Sequence, residues 1–373
     1  GDPPLAWKPA LCETPPSYVG SEDGMQYRIL GRTGMRVSTL CLGTMMFGEW
    51  GKTTLDECRL ILDAALEAGI NFVDTADVYA FGQSEEMLGE LLGSRRDDVI
   101  LASKVNNAMG PGLNMGGNSR RWIMREVEAT LRRLRTDRLD LYQLHRPDPD
   151  TDISESLEAL DDLVRQGKVL AVGTSTFPAD LLVEAQWAAE RRRLVRPATE
   201  QPPYSIFARG IEADVLPACQ RLSLGVMVWA PLNGGWLTGK YRRGAEAPPG
   251  SRAAREPDHI DFAKPSSEEK LDLVESLAKL ADDAGMTLTH MALAFTLNHP
   301  AVTASVIGPR TVDQLTAQTT AAEISLDPGL LDAIDELVPP GHTLNPDDRG
   351  WRAPALGDAA LRRRRAIPRS AGV

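Results

Sequence analysis

Eight short apolar segments recur along the 373-residue chain, at residues 39–44, 71–74, 99–104, 139–145, 169–174, 198–201, 225–229 and 305–307. None shows the apolar–polar alternation of a half-exposed strand, so each reads as a parallel strand covered on both faces. Seven of them are spaced by roughly 30 to 40 residues, the length of a βα unit. Helical patterns fill the gaps. Leu55, Cys58, Ile61, Leu62, Ala65 and Leu66 share one apolar face behind a capping box from Thr54 to Glu57, and Gly69 closes that helix. Residues 119–134 carry Ile123, Val127, Leu131 and Leu134 at helical spacing. Residues 152–165 open with a capping box from Asp152 to Glu155 and carry Leu157, Leu160 and Val164. Pro178 starts a helix over 179–191, where its missing N–H costs nothing. Further helices are expected over 267–284, 288–298, 312–321 and 328–338. Ahead of all this, residues 26–30 and 36–39 flank a turn containing Gly31 and Gly34, a hairpin. The pattern predicts an α/β chain, a closed (β/α)8 TIM barrel with an N-terminal hairpin.

The gap after the seventh strand departs from the rhythm. Residues 230–265 are rich in Gly and Pro, and a loop this long in a compact domain is usually functional or disordered. One domain is expected over residues 25–338. Residues 1–24, with Pro3-Pro4 and Pro15-Pro16, read as an irregular extension, and Met25 is a candidate for the natural start. Residues 339–373 read as an irregular tail ending in the basic run Arg362–Arg365.

Composition narrows the function. A formal net charge of −11 argues against nucleic acid as the main partner. No run of roughly 18 apolar residues exists, so no membrane-spanning helix is expected. Cys12, Cys41, Cys58 and Cys219 form no Cys-x-x-Cys pair, so no metal or redox motif is read. Cys41 and Cys58 sit among apolar residues and are expected to be reduced thiols, a usage that fits a cytoplasmic location.

In such a barrel the active site lies at the C-terminal ends of the strands. Polar residues stand there in succession: Asp74 and Tyr79 after the second strand, Lys104 ending the third, His145 ending the fourth and Ser175 at the fifth. Separately, Asp74, Tyr79, Lys104 and His145 read as a helix cap, a loop anchor, a surface charge and a satisfied hydrogen bonder. Together they can do acid chemistry. A free Tyr has a pKa of about 10 and donates poorly at neutral pH. A Lys ammonium beside it favours the phenolate and lowers that value. Asp74 can hold Lys104, and His145 can orient a carbonyl oxygen. Alternatively, Lys104 can form a Schiff base in a barrel lyase or aldolase. No Gly-x-Gly-x-x-Gly follows the first strand, so a Rossmann cofactor site is not indicated. Gly308-Pro309-Arg310-Thr311 leads from a strand into a helix bearing Gln314, a turn that suits phosphate; an ordinary βα turn with a surface Arg reads equally well.

Asp74-Thr75-Ala76-x-x-Tyr79, Ala102-Ser103-Lys104 and Leu144-His145-Arg146-Pro147-Asp148 resemble the aldo-keto reductase superfamily. Gly173-Thr174-Ser175, Glu200-Gln201, Trp229-Ala230-Pro231-Leu232, the segment from Leu237 to Tyr241, and Gly308-x-Arg310 continue the resemblance from about Gln26 to Val338. It is closest in texture to bacterial members and to the branch holding the potassium-channel β subunits. The resemblance implies a catalytic Asp74–Tyr79–Lys104–His145 tetrad and an NADPH/NADP+ cofactor across the barrel mouth. Gly43, Thr44, Met45 and Asp74 would line its seat. Ser175 and Gln201 would grip the carboxamide and Trp229 would flank the nicotinamide. Ala230, Pro231 and Leu232 would begin a loop over the pyrophosphate, with Lys240 and Arg252 reaching it. Gly308, Arg310, Gln314 and Gln318 would hold the adenosine phosphate end. Thr176 replaces an Asn found in many members, and Gln318 stands where Asn is common. His145 stands where the channel branch commonly has Asn, which favours a working reductase. The implied activity is reversible reduction of an aldehyde or ketone; the alternative is an NADPH-binding regulatory subunit with slow turnover. Either leaves room for a homo-oligomer. Met46, Phe47, Trp50, Phe81, Asn106, Arg146 and Trp351 are candidates for the substrate pocket.

Overall fold

The computed structural model describes residues 19–20, 24–255, 260, 262 and 264–363. Most of the expected irregular extension, with Cys12, lies outside these residues, as do Arg364 and Arg365 of the basic run.

Strands β1 (Val19–Gly20), β2 (Gln26–Ile29) and β3 (Arg36–Ser38) form a small antiparallel sheet, so the expected hairpin gains a third strand from within the extension. Eight parallel strands follow: β4 (Leu40–Gly43), β5 (Phe72–Asp74), β6 (Ile100–Val105), β7 (Leu139–Leu144), β8 (Val169–Ser175), β9 (Thr199–Gln201), β10 (Gly225–Val228) and β11 (Val302–Ile307). Each pairs with the next, and β11 returns to β4, closing a (β/α)8 TIM barrel. All eight expected strands are present, the last beginning three residues earlier than its pattern.

Around the barrel run α1 (Leu55–Glu67), α2 (Gln83–Leu92), α3 (Arg120–Arg133), α4 (Ile153–Arg165), α5 (Ala179–Arg192) and α6 (Val215–Leu222), then α7 (Arg252–Arg255), α8 (Pro265–Asp283), α9 (Leu288–Asn298), α10 (Val312–Thr319) and α11 (Pro328–Leu337). Thr54 and Glu57 form the reciprocal capping box expected for α1. At α4, Asp152 caps by accepting from the Ser154 N–H, without the expected Glu155 return bond. The tail is less irregular than its composition suggested. His342 and Leu344 bond the backbone of Arg209 and Phe207, and short helices occur at Pro354–Gly357 and Ala359–Arg362.

The strands' period of two sorts their side chains into an inner and an outer set. Cys41, Phe72, Ala102, Leu141, Ala171, Met227 and Ala304 pack inside the lower barrel, with Leu30 and Val37 of the hairpin region among them. The hairpin thus plugs the N-terminal end. Arg28 anchors it by donating to the carbonyls of Val302 at 2.6 Å and Leu297 at 3.1 Å. Two residues further along β5, β6 and β7 the inner layer turns polar, with Asp74, Lys104 and Gln143; Gly43 of β4 and Gly173 of β8 flank them, and Thr199 of β9 lies against Gly173. Space there is tight. A side chain on Gly43 would meet Val306 at 2.7 Å, and one on Gly173 would meet the Thr199 hydroxyl at 2.0 Å. The bare backbone of Gly173 leaves the volume that Thr199 and Gln143 occupy.

Candidate active site

Lys104 lies wholly buried at the centre of the polar layer. An ammonium has three donors and no acceptor, and all three are used. Nζ donates to Asp74 Oδ2 at 2.5 Å, to the Thr75 carbonyl at 2.8 Å and to Tyr79 Oη at 3.2 Å. Burial works against its charge, but Asp74 and Tyr79 outweigh that and hold its pKa above the ordinary lysine value. A lysine so engaged is a poor Schiff-base nucleophile. Asp74 Oδ1 accepts from Gln143 Nε2 at 3.3 Å and Gln201 Nε2 at 3.0 Å. Gln143 was not among the sequence candidates. Its signal was there: it lies two residues before His145 on one strand, so it shares the inward face with Lys104.

Because Lys104 can only donate, Tyr79 Oη accepts from it and keeps its own proton to give. Burial pushes the Tyr79 pKa up, and the nearby Asp74 adds to this; Lys104 and Arg146 pull it down and do not prevail. The sequence reading, that Lys104 lowers this value, is thus reversed in net direction. Tyr79 is a phenol at neutral pH, the form a proton donor needs.

His145 stands edge-on to Tyr79, ring centres 5.9 Å apart. Burial, then the charges of Lys104 and Arg146, push its pKa well below 6.5, so the ring is neutral. Asn107 Nδ2 lies 3.1 Å from His145 Nδ1. An amide N–H donating there leaves the ring proton on Nε2. The local backbone is strained: Ala80 and Phe81, directly after Tyr79, have φ of 47° and 53°. Non-Gly residues avoid this region, and such outliers gather at functional sites.

These groups stand at one end of a cavity of about 770 Å³ in the barrel mouth. Asp74, Tyr79 and His145 line it, with Lys104 behind them. So do Gly43, Met45, Ser175, Gln201, Trp229, Ala230, Pro231, Leu232, Lys240, Arg252, Gly308, Arg310, Gln314 and Gln318. Thr44 does not: it is buried, its hydroxyl bonded to Ser84 and the Asp74 carbonyl. Of the substrate-pocket candidates, Met46, Trp50 and Arg146 line the cavity. Phe47 is buried in the core and Phe81 is 67% exposed on the surface. Asn106 bonds Asn118 instead, and its neighbour Asn107 takes the wall position. Trp351 is not on the wall either.

The far end of the cavity is cationic. Burial lowers the Lys240 pKa, and repulsion from Arg255, Arg310 and Arg252 lowers it further. Arg310 Nε donates to the Gly51 carbonyl at 3.1 Å and Nη1 to that of Gly250 at 2.8 Å, bridging two loops over the cavity. Gln318 presents a buried Oε1 without a partner among the described residues. The loop after β10 bends through Ala230 and Asn233, at φ of 54° and 47°. Lys270 ties it down, donating to Asn233 Oδ1 and Asp348 Oδ2 at 2.7 Å each. A dinucleotide fits such a trough: cations for its phosphates, an orphaned amide for a base, and Ser175 and Gln201 beside the reacting groups.

Glu200 lies just outside the barrel interior, fully buried. Burial raises its pKa to about 8, although the Thr174 hydroxyl and the Phe177 and Thr176 N–H groups favour its anion. An unfolded Glu ionises near 4.5, so between pH 4.5 and about 8 the folded chain keeps a proton that the unfolded chain has lost. Stability therefore falls as pH rises through this window. Thermal melts of Glu200→Gln should decline less steeply there than those of the wild type.

The chain matches the aldo/keto reductase family over residues 39–339. It is 40% identical over 339 residues to an uncharacterized oxidoreductase, YrpG, of Bacillus subtilis, covering 88% of this chain and 100% of that one. It is 37% identical over 322 residues to a probable voltage-gated potassium channel subunit beta of Arabidopsis thaliana, covering 84% and 97%. The aldo-keto reductase YhdN of Bacillus subtilis is 34% identical, covering 87% and 92%. A closed parallel barrel with acid–base groups at its mouth defines the class, and the chain belongs to the aldo/keto reductase family. It is an oxidoreductase of that family, and its relatives include proteins named as potassium-channel β subunits. Among the described residues, no helix is long and apolar enough to cross a membrane.

Proposed function

We propose that the protein reduces an aldehyde or ketone to an alcohol with NADPH, and catalyses the reverse oxidation. One observation carries this reading above the rest. Tyr79 keeps a free proton, set by a fully engaged Lys104, at the end of a cavity whose other end is cationic. Bound NADPH supplies a hydride. The chain's residues do the remaining work. His145 Nε2–H and Tyr79 Oη–H converge on the carbonyl oxygen and polarise it. As negative charge builds on that oxygen, Tyr79 gives up its proton. The Lys104 ammonium, held by Asp74, stabilises the phenolate left behind. Ser175 and Gln201 hold the carboxamide, and Trp229 walls the ring. Lys240, Arg252 and Arg310 meet the phosphates. A panel of aldehydes and ketones mixed with NADPH and the purified chain, followed by nicotinamide absorbance, tests the reading; loss of absorbance with alcohol formation is expected. NADPH that binds tightly with no turnover on any carbonyl would favour the regulatory alternative, which the channel-subunit relatives support.

Arg310 is the proposed contact to the 2′-phosphate. A charge-assisted hydrogen bond contributes about 1.5–3 kcal/mol. Arg310→Ala should therefore weaken NADPH binding by about tenfold or more. NADH, which lacks that phosphate, should be weakened much less, since it loses only the bridging of Gly51 and Gly250. Fluorescence titration with both cofactors checks this.

A further inference from the structure

Among the described residues, five cationic side chains and one carboxylate line the cavity. The carboxylate, Asp74, is taken by Lys104. Arg252, Arg255 and Arg310 all act on Lys240 at the phosphate end. Arg146 stands apart from them. It follows His145 in the chain and its Nη1 lies 3.0 Å from the His145 carbonyl, so it belongs to the reacting end. Among the described residues no carboxylate lies within ion-pair distance of it, and neutral Glu200 supplies only a weak field at neutral pH.

The placement of Arg146 is built rather than incidental. Asn106 Nδ2 and Asn118 Nδ2 both donate to its backbone carbonyl, at 3.4 and 2.9 Å. Its guanidinium lies over the Trp229 ring, 5.9 Å from the ring centre. Nη1 donates to the His145 carbonyl at 3.0 Å and to Thr176 Oγ1 at 3.3 Å. Thr176 in turn holds a left-handed φ of 59°. Both recorded bonds leave from Nη1, so the Nε–Nη2 edge retains donors without an acceptor among the described residues. That edge is the planar fork that pairs with a carboxylate through two parallel hydrogen bonds. Burying a guanidinium without a counter-charge is costly, and a ligand that brings the charge recovers the cost.

Resting on the reductase reading above, we propose that the preferred substrates are carbonyl compounds that also carry a carboxylate, which Arg146 seats beside Tyr79 and His145. The Trp50 ring, 6.1 Å from that of Tyr79, gives the same chamber an aromatic wall. An aryl or short alkyl spacer between carbonyl and carboxylate suits it.

The test uses the full chain with NADPH and two substrates of similar shape, 4-carboxybenzaldehyde and its neutral methyl ester. The readout is the ratio of their kcat/KM values at fixed ionic strength. The wild type should favour the carboxylate. Arg146→Met should lower the ratio by about tenfold or more, chiefly through KM for the acid, as expected for loss of charge-assisted hydrogen bonds. Arg146→Lys, which keeps the charge without the fork, should fall between. A ratio unchanged in Arg146→Met would overturn the proposal. Failure of the wild type to turn over either aldehyde would count against the reductase reading instead, and calorimetry then decides the anion seat. Benzoate should bind the NADP+-saturated wild type and lose affinity in Arg146→Met; no benzoate binding to the wild type would overturn the proposal.

Discussion

Tyr79→Phe should cut turnover by about 10²–10⁴-fold, the range for loss of a positioned proton donor, while NADPH affinity stays close to wild type. The substitution removes one oxygen and little else. Lys104 loses one of its three acceptors but keeps Asp74 and the Thr75 carbonyl. The ring still has Trp50 and His145 as neighbours. Cofactor contacts therefore persist, and the loss should fall on the chemical step. Steady-state kinetics with a cofactor titration separates the two. A variant that kept more than about a tenth of wild-type turnover would show that Tyr79 is not the donor, because general acid catalysis contributes at least about a hundredfold.

Lys104→Met should destabilise the fold by about 3–5 kcal/mol, the usual cost of breaking a buried ion pair from one side. Asp74 would remain buried at 1% exposure, with two glutamine amides and no cation. The effect on turnover should also be large, since the phenolate formed on Tyr79 would lose its stabilising charge. The double variant Asp74→Asn/Lys104→Met removes both charges, so it should recover part of the lost stability. Urea unfolding of the four proteins gives the coupling. Pairs in contact depart from additivity by about 0.5–3 kcal/mol. Single variants costing under about 1 kcal/mol, with an additive double, would contradict the account of Lys104 as a charge held by Asp74.

Much of this was legible in the sequence, for a definite reason. Parallel strands covered on both faces have an apolar signature, and the barrel geometry then fixes where their ends point. Asp74, Lys104, His145 and Ser175 follow from that, as does the turn at Gly308, whereas Gln201 entered only through the family resemblance. Besides the four-residue helices at α7 and in the tail, two helices did not show. The first, α2, begins at Gln83 behind a left-handed Gly82 with no side-chain cap, directly after the strained turn at Tyr79. The second, α6, is only eight residues long and carries Pro217 in its first turn, which disguises its pattern. The direction of the Tyr79 shift was not legible either. It depends on how far burial outweighs the Lys104 charge, and burial is a tertiary property. Asn107 rather than Asn106 reaching His145 depends on a loop path that no periodicity encodes. Gln143 was within reach, since the period of two that links Lys104 to the barrel interior also places Gln143 there.

The most direct test of the central claim follows an atom. The protein is mixed with NADPH deuterated at the transferring nicotinamide position and with an aldehyde, and the alcohol is analysed by mass spectrometry. The account predicts one deuterium per alcohol, bound to the former carbonyl carbon, with none formed at a comparable rate by Tyr79→Phe. Alcohol without deuterium, or no alcohol from any carbonyl offered, would contradict it.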